Sequence, residues 1–170
     1  MLNHNDIQLE LEALSKIVHW MAKEEHIPAT GGNFSYRPNE GANFYISRSG
    51  IDKENIRPED FLLVDKFGKV MNGQNLKVSD ETPLHGLVYE HFNASCTLHS
   101  HHLESLWFSE SFDECLVELS GLEMLKIFEG ISSHEEKIYL PILENSQDMT
   151  LLKKKLEKLF VKKEIFGFVL

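Results

Sequence analysis

The sequence predicts a mixed α/β fold with a largely antiparallel sheet. Three observations point there. Apolar residues recur at spacings of three and four near both ends of the chain. Short runs rich in β-branched and aromatic residues lie between them. Helix-like and strand-like segments mix without the strict alternation of a doubly wound fold. The 170 residues fit one domain spanning 1–170.

The first helix carries Ile7, Leu11, Leu14, Val18 and Met21 on one face. Asn5 is expected to cap it, with Gln8 reaching back, and Pro28 with Gly31-Gly32 stops it. Strand-like runs follow at 44–47, 61–65 and 69–71, and Phe67-Gly68 is the turn of a hairpin joining the last two. A second helix is expected from Ser79 to about His91, with Leu84, Leu87 and Val88 inward and Pro83 tolerated in its first turn. Residues 94–98 read as a strand running into His99-Ser100-His101-His102, followed by a helix through Leu103, Leu106 and Trp107. A further helix is expected from Ser120 through Leu122, Leu125 and Phe128. Residues 137–143 read as a strand, with Pro141 marking an edge or an end. Leu152, Leu156, Leu159 and Phe160 mark a last amphipathic helix whose Lys153-Lys154-Lys155 run is its solvated face. Residues 165–170 read as a buried strand. A stop inside an apolar run suggests a truncated domain, or a subunit completed by something else.

Composition removes several functional classes. Asp and Glu number 27 against 17 Lys and Arg, a formal net charge of -10, so the basic footprint of a nucleic-acid binder is absent. A phosphorylated substrate would need a local cradle. The two cysteines, Cys96 and Cys115, form no CxxC pair and no disulfide framework. No stretch approaches the roughly 18 apolar residues of a membrane span, and residues 1–6 have no apolar signal core. A reducing cytoplasm is the expected compartment.

His99 and His101 carry the strongest chemical signal. Two apart at a strand end, their rings point to the same side. That is half of a zinc or other divalent-metal site, or a pair of ordinary histidines. His102 points the other way. Glu81 reads either as a first-turn acid complementing the helix dipole or as a metal ligand or general base. Glu123 stands three residues after Ser120, as in a capping box; an acid/base role competes with that, and spacing does not choose. Three turns could offer N–H groups to an anion: 29–35, which holds Gly32 and Asn33; 47–50, which holds Ser49 and Gly50; and Ser79 at a helix start. Each also reads as a plain turn or cap. Arg37, Arg48 and Lys53 could add charge.

Taken in order, Thr30-Gly31-Gly32-Asn33-Phe34-Ser35, Ser47-Arg48-Ser49-Gly50, Ser79-Asp80-Glu81-Thr82 with His85, and His99-Ser100-His101 resemble the class II aldolase/adducin-like superfamily. The resemblance covers nearly the whole chain. Residues 57–65, 121–126 and 140–149 are similar to its methylthioribulose-1-phosphate dehydratase family. The resemblance implies a three-layer α/β/α class II aldolase-like fold with a mostly antiparallel sheet, a homotetramer, and one Zn2+ per subunit. It implies His99 and His101 as zinc ligands, and Gly32, Asn33, Ser49, Gly50 and Ser79 as the phosphate site. Glu81 matches the ligand and base of the aldolases, and Glu123 the acid/base of the dehydratases. A third zinc histidine is implied in an Asn/Arg-His-Gly segment just after the residues matching 166–170, and the sequence stops before it. Either the chain is a fragment, or Glu81 or water completes the site, or the protein is inactive.

The activity so implied is dehydration of 5-methylthioribulose 1-phosphate in methionine salvage. Glu123, or else Glu81, would take the C3 proton, and Trp107, Phe108 or Phe112 could receive the methylthio end. Two other readings share the fold: a class II aldolase that breaks the C3–C4 bond of a ketose 1-phosphate, and an adducin-like interaction module without the chemistry. The expected partner is a small sugar phosphate, with neither nucleic acid nor membrane.

Overall fold

Asn3 starts the first helix, α1 (His4–Lys23), by accepting from the Asp6 N–H at 3.0 Å while the Asp6 carboxylate accepts from the Asn3 N–H at 3.0 Å. The cap therefore sits two residues before the expected Asn5. A carboxylate at the third helical position binds the cap N–H more strongly than the amide of Gln8 can. The computed structural model describes residues 3–38, 41–71, 73, 75–112, 115–161 and 165–170. They fall into two compact units, Met1–His102 and Leu103–Leu170.

In the first unit, strands β1 (Asn33–Tyr36), β2 (Phe44–Ser47), β3 (Phe61–Val64) and β4 (Cys96–His99) form one sheet in the order β3-β2-β1-β4. Every pairing in it is antiparallel. Side-chain alternation gives the sheet two buried faces. Phe34, Tyr36 and Phe61 pack with Leu11, Leu14, Val18 and Met21 of α1 and with Ile27, Ile51 and Ile56. Phe44, Ile46, Leu62 and Val64 pack on the other side with Tyr89 of α2 (Thr82–His91). Helix, sheet and helix make three layers, the α/β/α arrangement that the family resemblance implies.

Several expectations need correction here. Residues 33–35 read as part of a loop, yet they belong to β1, an inner strand of the sheet. Helix α2 begins at Thr82, not Ser79. The Ser79 carbonyl accepts from the Thr82 N–H at 3.1 Å and from its hydroxyl at 2.6 Å, and this closes a turn before the helix. Residues 69–71 make no strand; they fold back over Gly68 (φ +86) with a single bridge, Val64 to Val70.

The second unit holds α3 (Leu103–Glu110), the antiparallel pair β5 (Leu116–Leu119) and β6 (Ile138–Pro141), and α4 (Met149–Phe160). Asp148 caps α4 by accepting from the Thr150 and Leu151 N–H groups, and Leu152, Leu156 and Phe160 are buried. The helix expected from Ser120 is one 3-10 stretch, Glu123–Ile127. Gly121 takes φ +74 and donates its N–H to the His134 carbonyl at 2.6 Å, so the chain turns where a first helical turn was expected. The Ser120–Glu123 capping box does not form. The expected strand 165–170 makes one parallel bridge, Val169 with Ile142. Among the described residues, no helix is long and apolar enough to cross a membrane.

Candidate metal centre

Antiparallel pairing sets Asn33 opposite His99 and Ser35 opposite Thr97. These four side chains lie on the sheet face that packs against α2. His101 follows two residues beyond the end of the strand, its ring stacked on that of His99 with centroids 4.8 Å apart and planes at 23°. Glu81, at the mouth of α2, brings Oε2 to 3.1 Å from His99 Nδ1. One donor atom each from Glu81, His99 and His101 lies within 4.8 Å of the others.

Two imidazoles and one carboxylate are a donor set that fits a divalent cation with a position left open. The protonation of Glu81 and His101 suits it as well. The hydrogen bond with His99 holds the Glu81 carboxyl down at about 2, against the opposing effect of burial and with help from the Asn33 amide. Burial, and then the charge of His99, lowers the His101 ring below the usual histidine value. At neutral pH the cluster offers an anion and a neutral ring, the forms that bind metal.

The glycine turn lies against this cluster. Gly32 takes φ +73, and a Cβ there would stand 2.5 Å from the His99 carbonyl oxygen. At Gly31 a Cβ would stand 3.6 Å from the His101 ring. The 47–50 turn joins the same neighbourhood: Ser49 donates its N–H to the Lys77 carbonyl at 2.8 Å, and Arg48 bridges to Val78. Gly50 also takes φ +73, with open space where its Cβ would be. Ser79 closes the group. Its hydroxyl accepts from Asn33 Nδ2 at 3.3 Å and from the Glu81 N–H at 3.2 Å. Asn33 Nδ2 also donates to Glu81 Oε2 at 2.8 Å. The structure thus draws Gly32, Asn33, Ser49, Gly50, Ser79, Glu81, His99 and His101 into one region of the first unit.

The nearby cations go elsewhere. Arg48 pairs with Asp60 at 2.7 Å. Arg37 is buried and donates to the carbonyls of Tyr89, Phe92 and Ala94, which tie down the end of α2. Lys53 is buried and donates to the carbonyls of Ile51 at 3.2 Å and Thr30 at 3.4 Å, linking two of the turns. The His102 ring sits edge-on to His26, with centroids 4.2 Å apart. Glu123 belongs to the second unit. It is exposed and contacts Lys126 at 2.7 Å and His134 at 3.0 Å. In that unit Trp107 is exposed, and the Phe108 and Phe112 rings lie 4.8 Å apart. His85, among the residues that carry the family resemblance but without a role there, stands buried behind Asn33.

Residues 12–166 match the Class II Aldolase and Adducin N-terminal domain family. Over 141 residues the chain is 39% identical to the methylthioribulose-1-phosphate dehydratase of Pseudoalteromonas translucida, covering 81% of this chain and 65% of that protein. Over 145 residues it is 35% identical to the protein of the same name from a Picosynechococcus strain, covering 84% and 68%. The chain therefore spans about two thirds of the length of these relatives. In fold it superimposes with a TM-score of 0.70 on the L-fuculose-1-phosphate aldolase of Thermus thermophilus, at 24% identity, covering 96% of this chain and 76% of that one.

Proposed function

Since the chain belongs to the class II aldolase and adducin N-terminal domain family, we propose that it is a zinc-dependent lyase. Its reaction is the dehydration of 5-methylthioribulose 1-phosphate to 2,3-diketo-5-methylthiopentyl 1-phosphate, a step of methionine salvage. The observation that carries this reading is the cluster of Glu81, His99 and His101 packed against the Gly31-Gly32 turn. The names of relatives at 39% and 35% identity favour dehydration over aldol cleavage.

Glu81, His99 and His101 would hold the ion, which supplies Lewis acidity toward the carbonyl of a bound ketose. The phosphoryl group is anchored by the turns around Gly32 and Gly50 and by the hydroxyls of Ser49 and Ser79. Both amide protons of Asn33 are engaged with Glu81 and Ser79, so Asn33 serves the phosphate by placing Ser79. A carboxyl held near 2 is a poor proton acceptor at neutral pH, since a general base works best with a pKa near the operating pH. Glu81 is therefore assigned as the ligand; on the family resemblance alone Glu123 is the first choice to take the C3 proton, with Glu81 the second. The C4 hydroxyl leaves as water once a general acid, the carboxyl that now carries the C3 proton, returns that proton to its oxygen, and the enol so formed rearranges to the diketone. We assign the protein to the cytoplasm and to a homotetramer. The exposed Leu103, Leu106 and Trp107 of α3 support assembly with further copies.

The test is an assay of the zinc-loaded protein with 5-methylthioribulose 1-phosphate, read as loss of one water per turnover. Glu123→Gln should lower kcat on the order of a hundredfold or more. Cleavage of the substrate into two fragments would turn the reading to an aldolase. A folded protein that holds zinc and turns nothing over would turn it to an interaction module.

A further inference from the structure

Behind Asn33 runs a buried file of polar side chains from β1 and α2. Asn33, Ser35, His85 and Tyr89 are each less than 10% exposed: 4%, 0%, 3% and 6%. Asn33 Oδ1 contacts His85 Nε2. The other ring nitrogen, Nδ1, lies 2.7 Å from Ser35 Oγ, and Ser35 Oγ lies 2.7 Å from the Tyr89 hydroxyl.

Donor and acceptor rules, together with a neutral His85 ring, fix the direction of every bond in this file. The ionised Glu81 carboxylate only accepts, so Asn33 must present its NH2 to it at 2.8 Å. That turns Oδ1, which also only accepts, toward His85. His85 must then donate from Nε2. Burial holds the His85 ring neutral, with its pKa pushed down to about 3, so Nδ1 carries no proton and accepts from the Ser35 hydroxyl. The Ser35 oxygen in turn accepts from Tyr89. Reversing the file would set the Asn33 carbonyl oxygen against a carboxylate oxygen in a half-buried place, with no proton between them.

We propose that His85, as the Nε2–H tautomer, is a positioning residue that orients the Asn33 amide and through it holds the Glu81 carboxylate toward the divalent cation. This rests on the reading of Glu81 as a ligand. Its role resembles that of outer partners that orient metal-binding side chains elsewhere, whose loss costs roughly 10- to 100-fold in metal affinity.

Two measurements test it. The first is the long-range proton–nitrogen NMR spectrum of the His85 ring at neutral pH. It should show a protonated Nε2 and a bare Nδ1; the opposite tautomer overturns the proposal. The second is the Zn2+ dissociation constant of four proteins, with circular dichroism to confirm folding. His85→Leu should weaken Zn2+ binding by about 10- to 100-fold. His85→Gln, whose amide can donate from the place of Nε2, should recover most of it. Ser35→Ala, a small change in a tightly packed place, should mix the two tautomers and weaken Zn2+ binding less than His85→Leu. If His85→Leu does not fold, the Ser35→Ala result decides. Binding unchanged in the folded variants overturns this inference alone. Zinc bound with the expected pattern but without dehydration overturns the proposed reaction alone.

Discussion

Replacing Gly32 by Ala tests how tightly the glycine turn is built onto the metal ligands. Two effects add. A Cβ at φ +73 costs about 1–2 kcal/mol in the left-handed region. The same Cβ falls 2.5 Å from the His99 carbonyl oxygen, a main-chain atom at the end of β4 that cannot rotate away, and forced overpacking costs about 1–3 kcal/mol. Reduced freedom of the unfolded chain offsets about 0.4–1 kcal/mol. The net loss should be about 2–4 kcal/mol. Gly50→Ala is the control, because Gly50 has the same φ of +73 with nothing within 4 Å of its Cβ; it should lose only about 1 kcal/mol. Urea unfolding followed by circular dichroism measures both. Because relief of the clash must shift His99, Gly32→Ala should also weaken Zn2+ binding, and Gly50→Ala should not. A Gly32→Ala protein as stable as Gly50→Ala, with unaltered zinc affinity, would refute this packing argument.

Two further outcomes follow from buried charge. His85 titrates near 3 in the folded chain against 6.5 for an ordinary histidine, so below about 6.5 the unfolded chain takes up a proton that the folded one refuses. Stability contributed by the neutral ring is complete above 6.5 and is lost progressively toward pH 3, by up to about 5 kcal/mol. Urea midpoints measured between pH 7 and 4.5 should fall less steeply in His85→Gln, and an equal slope would contradict the assignment. Arg37→Met removes the donors to the Tyr89, Phe92 and Ala94 carbonyls and should cost about 2–4 kcal/mol. Arg37→Lys should recover part of that, since an ammonium lacks the planar fork; a loss below about 0.5 kcal/mol in Arg37→Met would contradict it.

The legible parts of the sequence were those with a regular period. The stripes of α1 and α4, the run that became β2, and the His99–His101 pair followed spacings of three and four or of two. Strand β1 was hidden because Asn33 and Ser35 point into a buried hydrogen-bonded file, so polarity there does not mean solvent. The Ser120–Glu123 pattern fitted a cap in isolation, but Gly121 bonds to His134, and a long-range contact overrode the local signal. His85 enters the family resemblance without a role, yet a local signal bears on it: Glu81, His85 and Tyr89 recur every four residues, which lays them along one side of the α2 segment. Which nitrogen of His85 donates depends on Ser35 and Asn33, about fifty residues away, and no local pattern encodes that.

Equilibrium zinc titration of the wild-type chain beside the His99→Ala/His101→Ala double variant tests the metal centre most directly. One Zn2+ per wild-type chain and none in the folded double variant is the expected result. A folded wild-type chain that takes up no zinc, or a double variant that binds it equally well, would contradict the account.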